Sequence, residues 1–102
     1  MRHLLVTNDY PPKVGGIQSY LWEIYRRLPQ DKVVVYTTPH PDSESFDQKQ
    51  THKIIRSKQR VLLPTRQVAN QIRSLAEVEN IDFIMYAPEV PIGILGPKIG
   101  IP

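Results

Sequence analysis

Continuous runs of apolar and β-branched residues along the chain predict four strands. Residues 3–7, 33–36 and 81–86 carry the longer runs, and residues 53–56 form a shorter one. An uninterrupted apolar run, rather than an alternating one, is typical of a strand that is covered on both faces of a sheet. The pattern therefore predicts a buried, mainly parallel sheet.

Two stretches between these strands have the period of an amphipathic helix. The first begins after Gly16 and ends at Pro29, which cannot continue a helix. Its predicted inner face consists of Ile17, Tyr20, Leu21, Ile24 and Leu28. The second helix spans residues 66–79, and Val68, Ile72, Leu75 and Ala76 form its predicted inner face.

The remaining stretches are predicted from their breakers. Residues 37–50 contain two prolines, an aspartate and two serines near their start, and predict a loop. Pro91 suits the first turn of a further helix, and residues 99–102 are similar to the approach to a fifth strand. The predicted order is β-α-β-β-α-β-α, that of an α/β fold: a partial Rossmann-like, three-layer sandwich with a mainly parallel sheet.

Composition limits the possible functions. The 102 residues suffice for one small domain, and the absence of cysteine excludes disulfides and thiolate metal sites. The three histidines are scattered, so we predict no metal site. No apolar run approaches the length of about 20 residues needed to span a membrane. We therefore expect a cytoplasmic protein.

The connection after the first strand is the main candidate for a binding site. Residues 8–16 link this strand to the first helix, and ligands of open α/β sheets lie beyond the carboxyl ends of the strands. Gly15 and Gly16 lack a Cβ, and the helix that follows presents unpaired N–H groups and a partial positive charge. These features favour a phosphate site, although a tight turn without a ligand has the same pattern. The chain contains neither the dinucleotide-binding glycine motif nor a Walker motif.

A basic segment is the second candidate. Between Gln48 and Ala76 the chain carries no acidic residue and 7 of its 13 basic ones: Lys49, Lys53, Arg56, Lys58, Arg60, Arg66 and Arg73. Because an apolar step lies within this segment, it suits an anionic membrane surface. A solvated basic face over a buried strand end is the alternative. Nucleic acid is not expected, since no stacking aromatics alternate with these cations.

The sequence from Leu5 to Leu21 (LVTNDYPPKVGGIQSYL) resembles the opening of family 4 glycosyltransferases of the GT-B fold. Its pattern is most similar to that of phosphatidylinositol mannoside mannosyltransferases that use GDP-mannose. A second similarity lies at residues 60–65 and at Ile81-Asp82. The resemblance covers most of the chain.

The resemblance implies roles for individual residues. Gly15 and Gly16 correspond to a loop that contacts the donor diphosphate, with GDP-mannose as a substrate and no cofactor. Gln18 would contact a lipid-linked or polyol acceptor such as inositol. Asn8 and Asp9 follow from their own position, because they end the first strand at the predicted cleft: Asn8 is a second candidate for contact with the acceptor, and Asp9 is a candidate catalytic base. The alternative for Gln18 is a helix residue that faces solvent. The alternative for Asn8 and Asp9 is that their side chains cap the turn. Arg56, Lys58, Arg60 and Arg66 would face a membrane, which implies a peripheral protein at the inner face of the plasma membrane.

The resemblance also implies that residues 1–102 are an incomplete N-terminal, acceptor-side domain of a retaining enzyme. In that family a second Rossmann-like domain with a Glu-x7-Glu motif holds most of the donor, and it is absent from this sequence. We therefore expect the chain alone to be inactive. Two further hypotheses are a non-catalytic module that binds an anion or a lipid head group, and an interaction fragment that docks on a partner supplying the missing half.

Overall fold

The computed structural model of the protein describes residues 2–63 and 65–87. These residues form a parallel sheet with helices on both of its faces. In chain order the elements are β1 (His3–Val6), α1 (Gly16–Tyr25), β2 (Val33–Thr37), α2 (Ser43–Gln48), β3 (Lys53–Arg56), α3 (Arg66–Val78) and β4 (Phe83–Tyr86). A short 3₁₀ turn, Gln30–Lys32, precedes β2.

All four strands run parallel in the order β3-β2-β1-β4, so β1 lies inside the sheet. Leu4 of β1 lies opposite Val34 and Ile84, and its neighbour Leu5 lies opposite Val35 and Met85. All five residues of β2 are buried. The predicted α/β class, the parallel sheet and the coverage of β2 on both faces are thus confirmed.

The sheet separates two apolar cores. On one face α3 packs through Val68, Ile72 and Ala76, and Leu62 from the preceding loop joins the same core. On the other face Leu21 and Tyr25 of α1 cover Leu5 and the odd-numbered positions of β2. Helices on both faces make the three layers predicted from the sequence.

The structure confirms the inner face of α3. Val68, Ile72 and Ala76 are buried and Leu75 is half-buried against the same core. Thr65 caps the helix, because its Oγ1 accepts a hydrogen bond from the Val68 amide at 3.2 Å. α3 therefore begins where the sequence predicts.

The predicted inner face of α1 is confirmed for Leu21 and Leu28, which pack in the core, and is wrong for its other three residues. Ile17, Tyr20 and Ile24 are 53%, 67% and 38% exposed, whereas Leu21 and Tyr25 are buried. The helix is apolar around most of its circumference, so its period did not determine which side faces the sheet. That rotation is set by partners distant in sequence, since Tyr25 Oη lies 2.6 Å from His3 Nε2 on β1.

The predicted loop at residues 37–50 is also wrong, because it contains the helix α2. Pro41 and Asp42 lie just before this helix, where such residues are favoured, rather than inside it. Only Phe46 of α2 packs against the core, so the segment shows no helical period in its apolar residues. The predicted helix at Pro91 and the strand approach at residues 99–102 lie outside the described residues.

The sheet is incompletely covered on the α1 side near β4. Phe83 and Met85 are 39% and 41% exposed, and their register with His3 and Leu5 places them on this side. The exposed Ile17 and Tyr20 of α1 lie on the same side. The described residues therefore leave apolar side chains of α1 and of β4 exposed.

Candidate functional site

The glycine turn, residues 8–16, lies at the carboxyl edge of the sheet. The turn follows directly from the end of β1, where the Thr7 amide extends the sheet pairing by donating to the Tyr36 carbonyl at 3.1 Å. The ends of β2 and β3 and the loop before α3 contact it on one side. This edge is the usual ligand-binding position of an open parallel sheet.

The start of α1 presents unpaired backbone donors. Ser19 N donates to the Gly15 carbonyl at 3.1 Å, and no side chain caps the helix. Within the described residues, the amides of Gly16, Ile17 and Gln18 donate no hydrogen bond. Gly16 is exposed, and a Cβ built on it would meet no atom within 4 Å. The backbone there is accessible to an anion.

Gln18 folds back over the turn. Its Nε2 donates to Asp9 Oδ1 at 3.3 Å, and a Cβ on Gly15 would lie 2.4 Å from its Oε1. Gly15 therefore provides the space in which the Gln18 amide lies. The structure brings three predicted site residues, Asp9, Gly15 and Gln18, into one half-buried group.

Asn8 joins the turn to the loop before α3. The Leu62 amide donates to Asn8 Oδ1 at 2.6 Å, and Asn8 Nδ2 donates to the Leu62 carbonyl at 3.2 Å. This pair of bonds satisfies both backbone groups of a residue that is fully buried. The Asn8 side chain thus holds two parts of the site together.

Lys13 is a site residue that the sequence analysis missed. Its Nζ donates to the Asn8 carbonyl at 2.8 Å, which holds the ammonium group against the glycine turn. Within the described residues it forms no ion pair. A lysine two positions before the glycine pair was the only signal available in the sequence.

A buried hydrogen-bonded chain supports the turn from inside. Tyr10 is fully buried and its Oη lies 2.8 Å from His52 Nε2, while His52 Nδ1 lies 2.7 Å from Gln30 Oε1. The Gln30 amide nitrogen donates to the carbonyls of Tyr25 and Leu28, which leaves its oxygen as the acceptor toward His52. His52 Nδ1 therefore carries a proton, and in the neutral imidazole Tyr10 donates to Nε2.

The buried hydrogen bonds of His52 make the stability of the fold sensitive to acid. Burial lowers the pKa of His52 below its ordinary value of 6.5, with Asp47 acting in the opposite direction. The unfolded chain then binds the proton more tightly, so the free energy of unfolding falls as pH drops below 6.5. We expect a lower midpoint of urea unfolding at pH 5 than at pH 7.5, and a smaller difference in H52Q. An unchanged difference in H52Q, with H40Q as the matched control, would contradict this assignment.

Arg56 lies inside the structure, although the sequence grouped it with a basic surface. Its side chain is only 12% exposed and forms a bidentate pair with Asp47, at 2.7 and 3.2 Å. The guanidinium also donates to the carbonyls of Thr38 and Pro11, at 3.1 and 2.8 Å. Arg56 thus reaches from the end of β3 to the glycine turn.

The other three predicted cations lie at the surface. We name the segment of residues 57–63, together with Arg66, the basic loop. Lys58, Arg60 and Arg66 are exposed in it, and within the described residues no acidic side chain pairs with them. Leu62 is buried, but Val61 and Leu63 beside it are 51% and 50% exposed. The loop therefore presents apolar and cationic side chains to solvent.

Two buried hydroxyl groups lie at the ends of strands near this edge. Thr37 Oγ1 on β2 and Tyr86 Oη on β4 have no hydrogen-bond partner within the described residues. Burial raises the pKa of Tyr86 to about 12, so its hydroxyl keeps its proton.

Among the described residues, no helix is long and apolar enough to cross a bilayer, and no three acidic or histidine side chains cluster as metal ligands.

A parallel sheet with an exposed glycine turn after its first strand defines a Rossmann-like α/β unit. No protein-family model matches the chain. The chain is homologous to GDP-mannose-dependent phosphatidylinositol monomannoside mannosyltransferases, and this confirms the resemblance drawn from its first motif.

Three relatives illustrate the extent of the match. The alpha-(1-6)-phosphatidylinositol monomannoside mannosyltransferase of Mycolicibacterium smegmatis is 33% identical over 98 residues, 92% of this chain and 26% of its own length. The enzyme of that name from Mycobacterium tuberculosis is 33% identical over 103 residues, 95% of this chain and 27% of its own. The GDP-mannose-dependent monoacylated alpha-(1-6)-phosphatidylinositol monomannoside mannosyltransferase of Corynebacterium glutamicum is 29% identical over 94 residues, which are 90% of this chain and 25% of that protein. The chain thus spans about a quarter of its relatives' length.

Proposed function

We propose that the chain is the acceptor-side, N-terminal part of a retaining mannosyltransferase that uses GDP-mannose and a phosphatidylinositol mannoside or related polyol acceptor. The observation that carries this proposal is the exposed start of α1, where the amides of Gly16, Ile17 and Gln18 have no acceptor in the part of the chain that the structure describes. The relatives carry GDP-mannose in their names, and a diphosphate is the anion that such amides suit.

In the proposed reaction the bond between C1 of mannose and the diphosphate oxygen breaks, and the oxygen keeps the electron pair. A bond forms between C1 and an acceptor hydroxyl, which loses its proton. The amides at the start of α1 and the Lys13 ammonium would stabilise the negative charge that develops on the leaving diphosphate. Asp9 is the candidate acceptor of the proton, since its carboxylate lies in the turn with one hydrogen bond from Gln18.

The acceptor would lie beside the same turn. Gln18 has an amide that both donates and accepts, which suits a ring of hydroxyls. The Asn8 side chain already bonds both backbone groups of Leu62, so its role toward the acceptor would be through the second Nδ2 hydrogen or the second lone pair of Oδ1. We propose Gln18 as the main contact.

The exposed apolar side chains of α1 and β4 support an incomplete domain. Ile17, Tyr20, Phe83 and Met85 expose apolar side chains on one side of the sheet. A doubly wound sheet is normally covered on both faces. We propose that residues 1–102 require further chain, including a donor-binding domain, for transfer activity.

The basic loop supports attachment to an anionic membrane. It places Val61 and Leu63 at the surface among Lys58, Arg60 and Arg66, a combination that binds lipid head groups and the acyl boundary. Arg56 is left out of this surface because Asp47 and two carbonyls occupy its guanidinium. A peripheral position at the inner face of the plasma membrane follows from this proposal.

The triple variant K58Q/R60Q/R66Q tests the membrane surface. Each cation near an anionic bilayer contributes about 1 kcal/mol, so we expect the partition coefficient onto phosphatidylglycerol vesicles to fall about a hundredfold. The matched control R26Q/R27Q/K32Q removes the same charge from exposed positions elsewhere and should bind like the wild type. Equal losses in the two variants, or equal binding to neutral phosphatidylcholine vesicles, would contradict a specific surface.

The proposed function itself is tested by titrating the chain with GDP-mannose and with pyrophosphate, followed by NMR of the backbone amides. We expect both ligands to shift Gly15, Gly16 and Ile17, and guanosine to leave them unchanged. An interaction module without a donor site would show no such shifts.

A further inference from the structure

We propose that Arg56 is a positioning residue that fixes the glycine turn for the diphosphate, rather than a surface cation. The inference rests on the proposed function, because it concerns the same anion site. It starts from the position of the guanidinium group, which joins three segments that meet at the carboxyl edge of the sheet.

The first segment is α2. Asp47 on α2 accepts two hydrogen bonds from Arg56, from Nε at 3.2 Å and from Nη2 at 2.7 Å. This bidentate pair fixes the plane of the guanidinium, because both oxygens of the carboxylate are engaged. Both side chains are largely buried, with exposed fractions of 12% and 23%.

The second and third segments are bound by the donors that remain. Nη1 donates to the Thr38 carbonyl after β2 at 3.1 Å, and Nη2 donates to the Pro11 carbonyl in the glycine turn at 2.8 Å. Pro11 lies four residues before Gly15, and the part of the turn before Pro11 is held by Asn8, which bonds to Leu62, and by Tyr10, which bonds to His52. Arg56 therefore fixes the position of Pro11, in the middle of the turn, relative to the ends of the strands.

Only arginine can make these contacts together. The guanidinium makes four hydrogen bonds from three different nitrogens, whereas the donors of a lysine ammonium all lie on one nitrogen and cannot reach the same separated acceptors together. In R56K the lysine ammonium would pair with the Asp47 carboxylate, and the Pro11 carbonyl would lose its hydrogen-bond donor. The turn would then shift relative to α1.

The experiment compares R56K with R27K, which makes the same change at an exposed arginine paired with Glu23 on α1. In the absence of ligand, we expect R56K to move the amide resonances of Gly15, Gly16 and Ile17, while those of α3 stay in place. We also expect its affinity for pyrophosphate to fall about tenfold or more, since a small displacement of binding donors costs this much. R27K should do neither.

The two proposals fail in different ways. If R56K leaves the turn amides and the pyrophosphate affinity as in the wild type, the positioning role is wrong, although the anion site stands. If wild-type amides do not respond to pyrophosphate, the proposed function is wrong, and the ligand-free shifts in R56K still test the position of the turn. Should R56K fold poorly, D47N replaces it, and turn amides that keep their wild-type shifts in D47N overturn the inference.

Discussion

Replacing Leu62 by alanine is expected to destabilise the protein by about 2–5 kcal/mol, the range for a leucine truncated in a packed core. Leu62 is fully buried among residues of α3 and the sheet although it lies in a loop. The two hydrogen bonds between the Asn8 side chain and Leu62 involve only the Leu62 backbone. In L62A they would still hold the segment in place, and the missing side chain would leave a cavity. The measurement is the free energy of unfolding in urea.

Leu63 is the matched control, because it is the same residue type one position further along and is 50% exposed. L63A should change the free energy of unfolding by less than about 0.5 kcal/mol, as expected for a surface substitution. L63A should instead weaken binding to anionic vesicles. Similar destabilisation in both variants would show that the basic loop is not divided into a buried and an exposed side.

Apolar runs were sufficient to predict the sheet, because the positions of a strand that is buried on both faces are mostly apolar. β2 is the clearest example, with every residue from Val33 to Thr37 buried. The face of α3 was also predictable, since its polar residues leave one apolar side. For α1 the apolar residues surround the helix, and long-range contacts of Tyr25 with His3 decided its rotation. Such contacts cannot be inferred from local period.

The sequence located the candidate site at the glycine turn but not the connections that hold it. Arg56 belongs to a run of basic residues, and only its distance from Asp47 and Pro11 shows that it points inward. The Asn8–Leu62 pair spans 54 positions and has no local signature. Side chains that fix a loop by bonding to distant backbone groups are invisible in a single sequence.

The second large effect is expected at Gly16, where alanine should leave the fold intact and reduce anion binding at least tenfold. A Cβ there would meet no protein atom within 4 Å, so the protein itself does not require glycine. The methyl group would instead lie where a diphosphate approaches the amides of α1, and alanine is no worse than glycine within a helix. Stability and affinity should therefore respond differently.

S19A is the control for this substitution, since it also adds an alanine to the first turns of α1 at an exposed position. It should bind pyrophosphate like the wild type. G15A is expected to act by another route, because its Cβ would displace the Gln18 side chain from the turn. Its main effect should be on the acceptor side of the site.

The most direct test is an amide NMR titration of wild-type and G16A chains with GDP-mannose. A diphosphate site at the start of α1 predicts that the Gly15, Gly16 and Ile17 resonances shift in the wild type. In G16A they should shift only at concentrations at least tenfold higher, with an unfolding midpoint at or above that of the wild type. Wild-type amides that stay in place at saturating GDP-mannose, or a G16A chain that binds equally well, would contradict it.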